Sequence, residues 1–534
     1  MMKILKKLFN RISFMVLVVV LELFLLIKII DWFNSFGASV IETVLRLLSL
    51  IVILWLVNNS KHLSSDMIWI LLIVASPIFG TALYLALGAN LFTSRTFYSI
   101  VRSTADAQKY YEQDRFVMAE LGRQAPDLAG QFKYISASAG FPFYRNREFD
   151  YYPSGEEGFP FMLEALRSAK RFIFMEYFII EEGKMWDSIH EILKEKAAEG
   201  LDVRVMYDDL GSFRTLSMGY AKKLEDEGIK CIPFNRINPM LGIIMNHRDH
   251  RKILVVDGET AFSGGVNLAD EYINERKRFG YWNDNIIRIR GEAVWSYTVM
   301  FLTMWNALRN TDADYEAFWA CAGSEGEDEG AASASKSATA YSAVPGGSTA
   351  GDYDGYIAPY GETPLDNEIV SQDIYMNIIN QARNYVYIVT PYLIIDTEFI
   401  NALILAAKRG VDVRILTPGI PDKKLVWRVT RSYYRLLIEG GVNITEYTPG
   451  FVHSKVFVSD DRVATVGTIN LDYRSLYLHF ENGTYLYGSS KVQDIKHDLM
   501  KAMAAGRVVQ KGETGAGLLD TLTVSVVRLF APLL

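Results

Sequence analysis

The sequence predicts an α/β protein with two similar units related by a pseudo-two-fold axis, preceded by an apolar N-terminal region. Three observations support this fold class. A segment with His, Lys and Asp at the same offsets occurs twice, at 250–257 and 453–460. A strand–helix–strand pattern precedes each copy. Much of the hydrophobic excess of the chain lies in its first ninety residues.

The N-terminal region contains three apolar runs, at 12–30, 40–57 and 67–88. A helix of about 20 apolar residues is long enough to cross a bilayer. The first run follows a basic start and is not followed by a small-residue cleavage site, which favours an anchor over a signal peptide. We therefore predict that residues 1–88 form a transmembrane or anchor region of two to three helices, with the number and orientation of spans left open.

The first of the two units is predicted over residues 131–320, after a polar helical connector at 89–130. Its early part shows a strand pattern at 171–180, a helix pattern at 186–199 and a second strand pattern at 201–207. Alternation of strands and helices in this order indicates a mixed β-sheet flanked by helices.

The second unit, predicted over residues 363–534, repeats this pattern. A strand pattern at 384–390 and a helix pattern at 398–409 lead into 410–415, which matches 200–205 almost position for position. The duplication therefore extends beyond the motif to the whole unit, which predicts the pseudo-two-fold relation.

The segment 321–362 is predicted to be a flexible linker, because its central part is rich in Ala, Ser, Gly and acidic residues. Two other stretches are apolar without an assigned role, at 237–245 and at the C-terminus, 518–534. Each is expected either to pack in the core or to lie in the bilayer surface.

The two motifs carry the candidate chemistry. Side chains alternate faces along a strand, so His250 and Lys252 share one face, as do His453 and Lys455. Brought together, two imidazoles and two ammonium groups form a site suited to a phosphodiester anion. A neutral His can attack phosphorus while a protonated His donates to the departing alkoxide, and the lysines stabilise charge on the phosphoryl oxygens. This division predicts one neutral and one charged imidazole at rest, and a bell-shaped pH dependence with both limbs set by the imidazoles.

Four carboxylates accompany the motifs. Asp257 and Asp460 complete them and are counted among the catalytic candidates, although strict alternation puts both on the opposite strand face and favours a structural role in the following turn. Asp284 and Glu481 lie downstream of the first and second motif. They are candidates for the carboxylate that fixes the tautomer and orientation of a catalytic imidazole.

The composition argues against several classes of function. The net charge of −7 argues against a nucleic-acid binder, and two cysteines provide neither a disulfide framework nor a metal cluster. His247, Asp249 and His250 are ordinary metal ligands. The second copy has no equivalent of His247 or Asp249, so the duplication favours chemistry without a metal, and no cofactor is predicted.

The duplicated HxKxxxxD motif resembles that of the phospholipase D superfamily, and with its apolar N-terminal region the whole chain resembles the bacterial cardiolipin synthases. The resemblance implies a multi-pass protein of the bacterial cell membrane with catalytic units on the cytoplasmic side, acting on membrane lipid. The implied reaction joins two phosphatidylglycerol molecules into cardiolipin and glycerol through a phosphohistidine intermediate. By the same analogy, His250 is the nucleophile and His453 the acid and then the base, while phosphate oxygens are held by Lys252, Lys455, Asn267 and Asn470.

Other functions remain open at this point. A membrane phospholipase D would use water as the acceptor, and a phosphatidylserine synthase would use serine. A catalytically silent membrane scaffold is a further alternative. Intact His and Lys residues in both motifs argue against the scaffold.

Overall fold

The computed structural model describes most of both predicted units. The described residues are Lys28, 39–59, 63–85, 95–236, 247–320, 353–366, 368–513 and 527–528. The predictions for the apolar runs at 12–30, 237–245 and 518–534 therefore concern residues outside the described part, apart from Lys28 and residues 527–528, as does the low-complexity core of the linker.

Helices and strands are numbered in chain order. The helices are α1 (Ser39–Asn59), α2 (Leu63–Ala75), α3 (Pro77–Leu83), α4 (Arg95–Ala107), α5 (Arg115–Gln124), α6 (Ala129–Lys133), α7 (Gly155–Ser168), α8 (Lys184–Ala198), α9 (Tyr220–Asp226), α10 (Val294–Arg309), α11 (Val370–Gln381), α12 (Thr397–Lys408), α13 (Lys424–Glu439), α14 (Tyr473–Tyr477) and α15 (Lys491–Ala504). The strands are β1 (Tyr144–Arg145), β2 (Glu148–Tyr152), β3 (Phe172–Tyr177), β4 (Asp202–Asp208), β5 (Lys230–Phe234), β6 (Arg248–Asp249), β7 (Lys252–Val256), β8 (Thr260–Gly264), β9 (Tyr281–Asn283), β10 (Ile286–Arg290), β11 (Tyr356–Glu362), β12 (Tyr385–Val389), β13 (Asp412–Pro418), β14 (Asn443–Tyr447), β15 (Gly450–Val452), β16 (Val456–Ser459), β17 (Val463–Gly467), β18 (His479–Tyr487) and β19 (Arg507–Val508).

The two units are built on mixed sheets of matching topology. The first contains the order β10-β8-β7-β3-β4-β5, and the second the order β18-β17-β16-β12-β13-β14. In both, the first three neighbouring pairs are antiparallel and the last two are parallel. The predicted mixed α/β fold with two similar units is confirmed, and each predicted strand–helix–strand pattern forms β3-α8-β4 or β12-α12-β13.

Helices α10 and α15 lie between the two sheets. Helix α10 follows β10 and contacts β3, β7 and β8 of its own sheet and β11 of the other. Helix α15 follows β18 and contacts β12, β16 and β17 of its own sheet and β2 of the other. Nearly every residue of α10 is buried, and Phe301 stacks on Phe174 of β3 at 4.7 Å between ring centroids. The apolar core is therefore continuous from one unit into the next, because each central helix serves both sheets.

The N-terminal connector is packed onto this core. Residues 95–107 of the predicted connector form α4, which runs along α10. The hydroxyls of Ser99 and Ser103 donate to the carbonyl oxygens of Ala307 and Thr303 at 2.7 and 2.8 Å. Helix α4 is consequently fixed to the first catalytic unit.

The predicted boundary between the units requires correction. Strand β11 falls at the end of the segment 321–362 that was predicted as linker, yet it is buried and pairs with β18 over seven residues, from Tyr356 opposite Tyr487 to Glu362 opposite Glu481. Strand β1, within the residues assigned to the first unit, pairs with β11 in the second sheet. Composition could not reveal this, because pairing of distant strands is not a property of the local sequence.

The described N-terminal helices form a small cluster. The Ser49 hydroxyl of α1 donates to the carbonyl oxygen of Pro77 at 2.7 Å and accepts from the Thr81 hydroxyl at 2.8 Å. The predicted apolar run at 67–88 forms α2 and α3, which are separated at Ser76, rather than one helix. Over the part of the chain that the structure describes, none of the helices has both the length and the apolar character needed to cross a membrane.

Asp257 and Asp460 fix the ends of matching strands. Asp257 follows β7 with φ of 56° and its carboxylate accepts from the backbone N–H groups of residues 170, 171 and 172 at 2.8–2.9 Å. Asp460 follows β16 with φ of 53° and accepts from those of residues 383, 384 and 385 at 2.7–2.9 Å. Each carboxylate thus ties the end of a motif strand to the start of β3 or β12. The structural role favoured by strand alternation is what the contacts support, and the inclusion of both residues among the catalytic candidates is corrected.

This arrangement predicts unequal losses of stability. Asp257→Ala leaves the buried Phe172 N–H without an acceptor, which costs about 1–3 kcal/mol. Asp460→Ala exposes N–H groups that water reaches more easily, so we expect a smaller loss. Urea unfolding of the purified variants measures both.

The matched controls are the Asn variants, which tolerate the left-handed backbone and keep one acceptor oxygen. They should lose less stability than the Ala variants. A loss for Asp460→Ala as large as that for Asp257→Ala would contradict this account.

Candidate active site

Two short strand pairs join the units at the motifs. Strand β6 pairs in parallel with the start of β18, and β15 pairs in parallel with β9. Through these pairs the backbone N–H of His250 donates to the carbonyl oxygen of Phe480 at 2.9 Å, and that of His453 donates to the carbonyl oxygen of Asn283 at 2.7 Å. Strands β7 and β16 begin only at Lys252 and Val456, so each motif His lies in the segment before its strand and not on the strand as predicted.

These strand pairs produce a crossed arrangement, in which each imidazole lies against a carboxylate of the other unit. His250 Nδ1 lies 2.9 Å from both carboxylate oxygens of Glu481. His453 Nδ1 lies 2.6 Å from Asp284 Oδ2. Asp284 and Glu481, which the sequence nominated as orienting carboxylates, are completely buried in these positions. Because the carboxylate binds Nδ1, the tautomer it favours carries the proton there and leaves the lone pair on Nε2.

The two lysines lie beside the imidazoles and are also buried. The Lys252 ammonium donates to the carbonyl oxygen of His250 at 2.6 Å. The Lys455 ammonium contacts the carbonyl oxygen of His453 and lies 2.9 Å from His453 Nδ1. Burial lowers the pKa of Lys252 to about 7 and that of Lys455 to about 8. Both can therefore change charge near neutral pH.

Burial and the ammonium groups also shift the imidazoles. Burial and Lys455 lower the pKa of His453 to about 4 despite Asp284, while burial and Lys252 hold the pKa of His250 well below its usual range. Burial raises the pKa of Glu481. The prediction of one charged imidazole at rest is therefore not supported, because burial lowers the pKa of both rings. Besides burial and Lys252, the Lys455 and His453 side chains of the other unit lower the pKa of His250, so the two halves act on each other electrostatically as a single site.

The two halves of the site hold their carboxylates in different ways. The Thr468 hydroxyl donates to Glu481, whereas Gly265 occupies the same offset in the first motif. A Cβ atom on Gly265 would lie 1.9 Å from Asp284 Oδ1, so no larger residue fits beside the shorter carboxylate. The first half thus positions Asp284 by close backbone approach, and the second half positions Glu481 by a side-chain hydrogen bond.

The two motif asparagines are bound by neighbouring protein groups. Asn267 accepts from the Ile179 N–H at 3.1 Å and donates to the Tyr272 hydroxyl at 2.8 Å. Asn470 donates to the Ser475 hydroxyl at 3.0 Å. Each amide nitrogen has a second hydrogen, so a contact to a phosphate oxygen stays a prediction.

Sequence reasoning missed His479, a third imidazole in the site. Its ring centroid lies 5.7 Å from that of His250, and its Nδ1 lies 3.7 Å from Glu481 Oε1. The signal was its position two residues before Glu481 on one strand, which puts both side chains on one face. The position two residues before Asp284 is Trp282, whose ring lies 5.5 Å from that of His453.

The alternative metal site around His247 and Asp249 does not assemble. His247 Nδ1 lies 3.1 Å from the carbonyl oxygen of Leu478, and Asp249 lies 3.5 Å from the Arg251 guanidinium. Within the described residues, the side chains with spacing suited to a metal are His250, His479 and Glu481.

A buried site with two imidazoles presenting Nε2 and two ammonium groups can bind a phosphodiester anion and exchange one of its alcohols. The anion neutralises the ammonium groups, one Nε2 can attack phosphorus, and the other can move a proton. Because each imidazole pairs with a carboxylate of the other unit, both units contribute residues to one site.

Comparison with known proteins identifies relatives over most of the chain. The family model described as "Cardiolipin synthase, PLD-like domain" matches residues 162–305 and 375–503, one stretch in each unit. An uncharacterized protein of Streptococcus mutans is 44% identical over 90% of this chain and 99% of its own length. A cardiolipin synthase of Halalkalibacterium halodurans is 31% identical over 83% of each chain, and cardiolipin synthase 2 of Bacillus anthracis is 33% identical over 83% of this chain and 82% of its own.

A solved structure shares the fold. The phosphatidylserine synthase of Haemophilus influenzae Rd KW20 superposes with a TM-score of 0.55 at 16% identity, covering 76% of this chain and all of that one.

Proposed function

The chain belongs to the cardiolipin synthase family with phospholipase D-like domains, and from this premise we propose that it is a phosphatidyltransferase that makes cardiolipin and glycerol from two phosphatidylglycerol molecules. The observation that carries the proposal is the buried pair of imidazoles, each bound at Nδ1 by a carboxylate of the other unit, with one lysine beside each. These groups provide the nucleophile, the proton donor and the anion-binding charges needed to break one phosphodiester and form another.

In the first half-reaction, Nε2 of His250 attacks the phosphorus of phosphatidylglycerol. A nitrogen–phosphorus bond forms, the bond to the glycerol oxygen breaks, and His453 gives its proton to the leaving glycerol. Glu481 stabilises the positive charge that develops on His250, because it accepts from Nδ1. The assignment of His250 as nucleophile follows the family resemblance.

In the second half-reaction, the glycerol hydroxyl of another phosphatidylglycerol gives its proton to the neutral His453. Its oxygen attacks phosphorus, the nitrogen–phosphorus bond breaks, and cardiolipin leaves with both rings restored. Lys252 and Lys455 hold the phosphoryl oxygens through both steps, and the second amide hydrogens of Asn267 and Asn470 extend this cradle.

His453 takes up its proton from solvent when the substrate binds. Burial and the two ammonium groups otherwise disfavour an imidazolium at this position. A bound phosphodiester anion partly cancels the ammonium charges and favours the charged ring within about 4–6 Å of it. Substrate binding thus prepares the general acid.

Burial of the site favours transfer over hydrolysis. His250 and His453 are 6% and 7% exposed, and Asp284 and Glu481 are fully buried. A site that excludes water protects a reactive intermediate from hydrolysis until a second lipid alcohol arrives.

Membrane contact is supported by the apolar surface of α1. Leu47, Ile51 and Leu54 are each more than half exposed, which is unusual for large apolar side chains on a surface facing water. We propose that this surface contacts lipid and holds the catalytic units at the cytoplasmic face of the cell membrane, where phosphatidylglycerol is the substrate.

The reaction itself is the first test. Purified protein given phosphatidylglycerol alone, without added metal or nucleotide, should form cardiolipin and glycerol in equal amounts, measured by thin-layer chromatography of lipid and enzymatic assay of glycerol. EDTA should not lower the rate. Phosphatidic acid as the sole lipid product would assign the protein to the hydrolases, and a requirement for serine would assign it to the phosphatidylserine synthases.

The pH profile of kcat/KM should reflect imidazoles and lysines. The acid limb should fall below the ordinary imidazole pKa of ~6.5, because burial and Lys252 lower the pKa of the His250 nucleophile. The alkaline limb should lie no higher than pH 7–8, because Lys252 and Lys455 lose their protons there and because His453, with a pKa of about 4, must take up a proton when the substrate binds.

Lys252→Arg is the informative variant for this profile, since its guanidinium stays charged and should move the alkaline limb upward whatever its absolute rate. An alkaline limb that stays in place, together with an acid limb at or above ~6.5, would contradict the pKa order.

The two histidine variants should give different results in an experiment that traps the covalent intermediate. With phosphatidylglycerol labelled in the phosphatidyl phosphate and a quench in SDS at neutral pH, His453→Ala should retain some labelled protein and His250→Ala none. Each variant should turn over at least ~100-fold more slowly, the contribution of one positioned proton-transfer group.

The control for trapping is His497→Ala, an exposed histidine on α15, which should behave as the unmodified protein. Label on the His250→Ala protein would reverse the two roles. Full activity in both single variants would overturn the paired-histidine mechanism.

A further inference from the structure

His479 lies buried beside the His250–Glu481 pair without a hydrogen bond of its own. It is 7% exposed, and within the described structure neither Nδ1 nor Nε2 has a hydrogen-bond partner. Leaving a buried polar group unpaired costs about 1–3 kcal/mol. The nearest ionisable oxygen is Glu481 Oε1, 3.7 Å from Nδ1. The proposed transfer reaction does not use this imidazole.

Three ligand atoms converge at this point. His250 Nδ1 is 2.9 Å from the Glu481 oxygens, His479 Nδ1 is 3.7 Å from one of them, and the ligand atoms of all three residues lie within 4.8 Å of one another. Tetrahedral zinc with bonds of about 2.0–2.2 Å separates neighbouring ligand atoms by roughly 3.3–3.6 Å. The separations of 2.9 and 3.7 Å from Glu481 fall on either side of that range, so side-chain movements of less than about 1 Å adjust both imidazoles to an ion that Glu481 binds.

We propose that His250, His479 and Glu481 form a reversible site for a divalent cation of the zinc class, and that the bound ion inhibits phosphatidyl transfer. Two imidazoles and one carboxylate are ligands that zinc prefers, and three protein ligands leave a fourth position open. The binding claim stands on the geometry, whereas the inhibitory claim rests on the proposed function.

Inhibition follows from the tautomer of His250. In the transfer-competent form, the proton lies on Nδ1 and is donated to Glu481, so the Nε2 lone pair can attack phosphorus. A cation bound at Nδ1 takes the lone pair of that nitrogen, and the single proton of the neutral ring then sits on Nε2. The nucleophilic lone pair is lost without any change in the fold.

Among the described residues, the three ligands come together in one half of the site. His453 and Asp284 form the matching pair, but Trp282 occupies the position that corresponds to His479. An indole offers no ligand lone pair, and its N–H is a donor only. We therefore expect one ion per chain.

A neighbouring ammonium group makes the binding reversible. Lys252 Nζ donates to the carbonyl oxygen of His250 at 2.6 Å, so its positive charge lies beside one of the three ligands. Repulsion between this ammonium group and a divalent cation weakens cation binding.

Zinc titration of the tag-free, full-length protein in detergent, in competition with a chromophoric chelator, tests the site. The protein and the His497→Asn control should each bind one equivalent, while His479→Asn and His479→Gln should bind at least ~10-fold more weakly. Cobalt absorption should report a four-coordinate ion in the first two proteins and not in the others. Thermal unfolding verifies that each variant is folded.

Transfer assays in the same zinc series test inhibition. Zinc should inhibit the unmodified protein and His497→Asn over the range in which it binds, and should leave the remaining activity of the His479 variants unaffected. Unchanged affinity in both His479 variants, or no binding by the unmodified protein, would overturn the site. Binding as expected in a protein that forms no cardiolipin would refute the proposed function and leave the site standing.

Discussion

The crossed hydrogen bonds between His250 and Glu481 and between His453 and Asp284 are the constraint on which the rest of the structure depends. Both pairs are buried, and removing one partner of a buried hydrogen bond costs about 1–3 kcal/mol, more where the group left behind is charged. Neither unit can therefore complete its own site. The shared core around α10 and α15 and the short strand pairs β6–β18 and β9–β15 hold the two units in the register that these bonds require.

Duplication and crossing together give chemistry that one motif could not. Two imidazoles in identical surroundings would have the same chemical properties. The surroundings of His250 and His453 differ in the carboxylate that each ring binds and in the neighbouring aromatic side chain. Glu481 is longer than Asp284 and is held by Thr468, whereas Asp284 depends on the absence of a side chain at Gly265. His479 beside one pair and Trp282 beside the other extend the difference. A symmetric fold thus carries an asymmetric site, as a nucleophile and a proton donor require.

Much of this was predictable from the sequence, because the signals are local. Strand and helix patterns located β3, α8, β4 and their counterparts, and the repeated spacing located the His and Lys pairs. The crossing was not predictable, since spacing along one strand carries no information about which distant carboxylate an imidazole meets. For the same reason β11 was assigned to a linker, although it pairs with β18. Asp257 and Asp460 show the reverse: alternation indicated their structural role, while membership of the motif suggested catalysis.

The most direct test of the crossed pairs is a pH titration of the seven histidines by carbon-13 NMR, with label at Cε1 and the protein in detergent. The His250→Asn and His453→Asn proteins assign the two signals. We expect Glu481→Gln to change the titration of His250 and leave that of His453 nearly unchanged, and Asp284→Asn to do the opposite. If Glu481→Gln instead moved His453 and Asp284→Asn moved His250, each carboxylate would serve its own unit and the account of a jointly built site would be wrong.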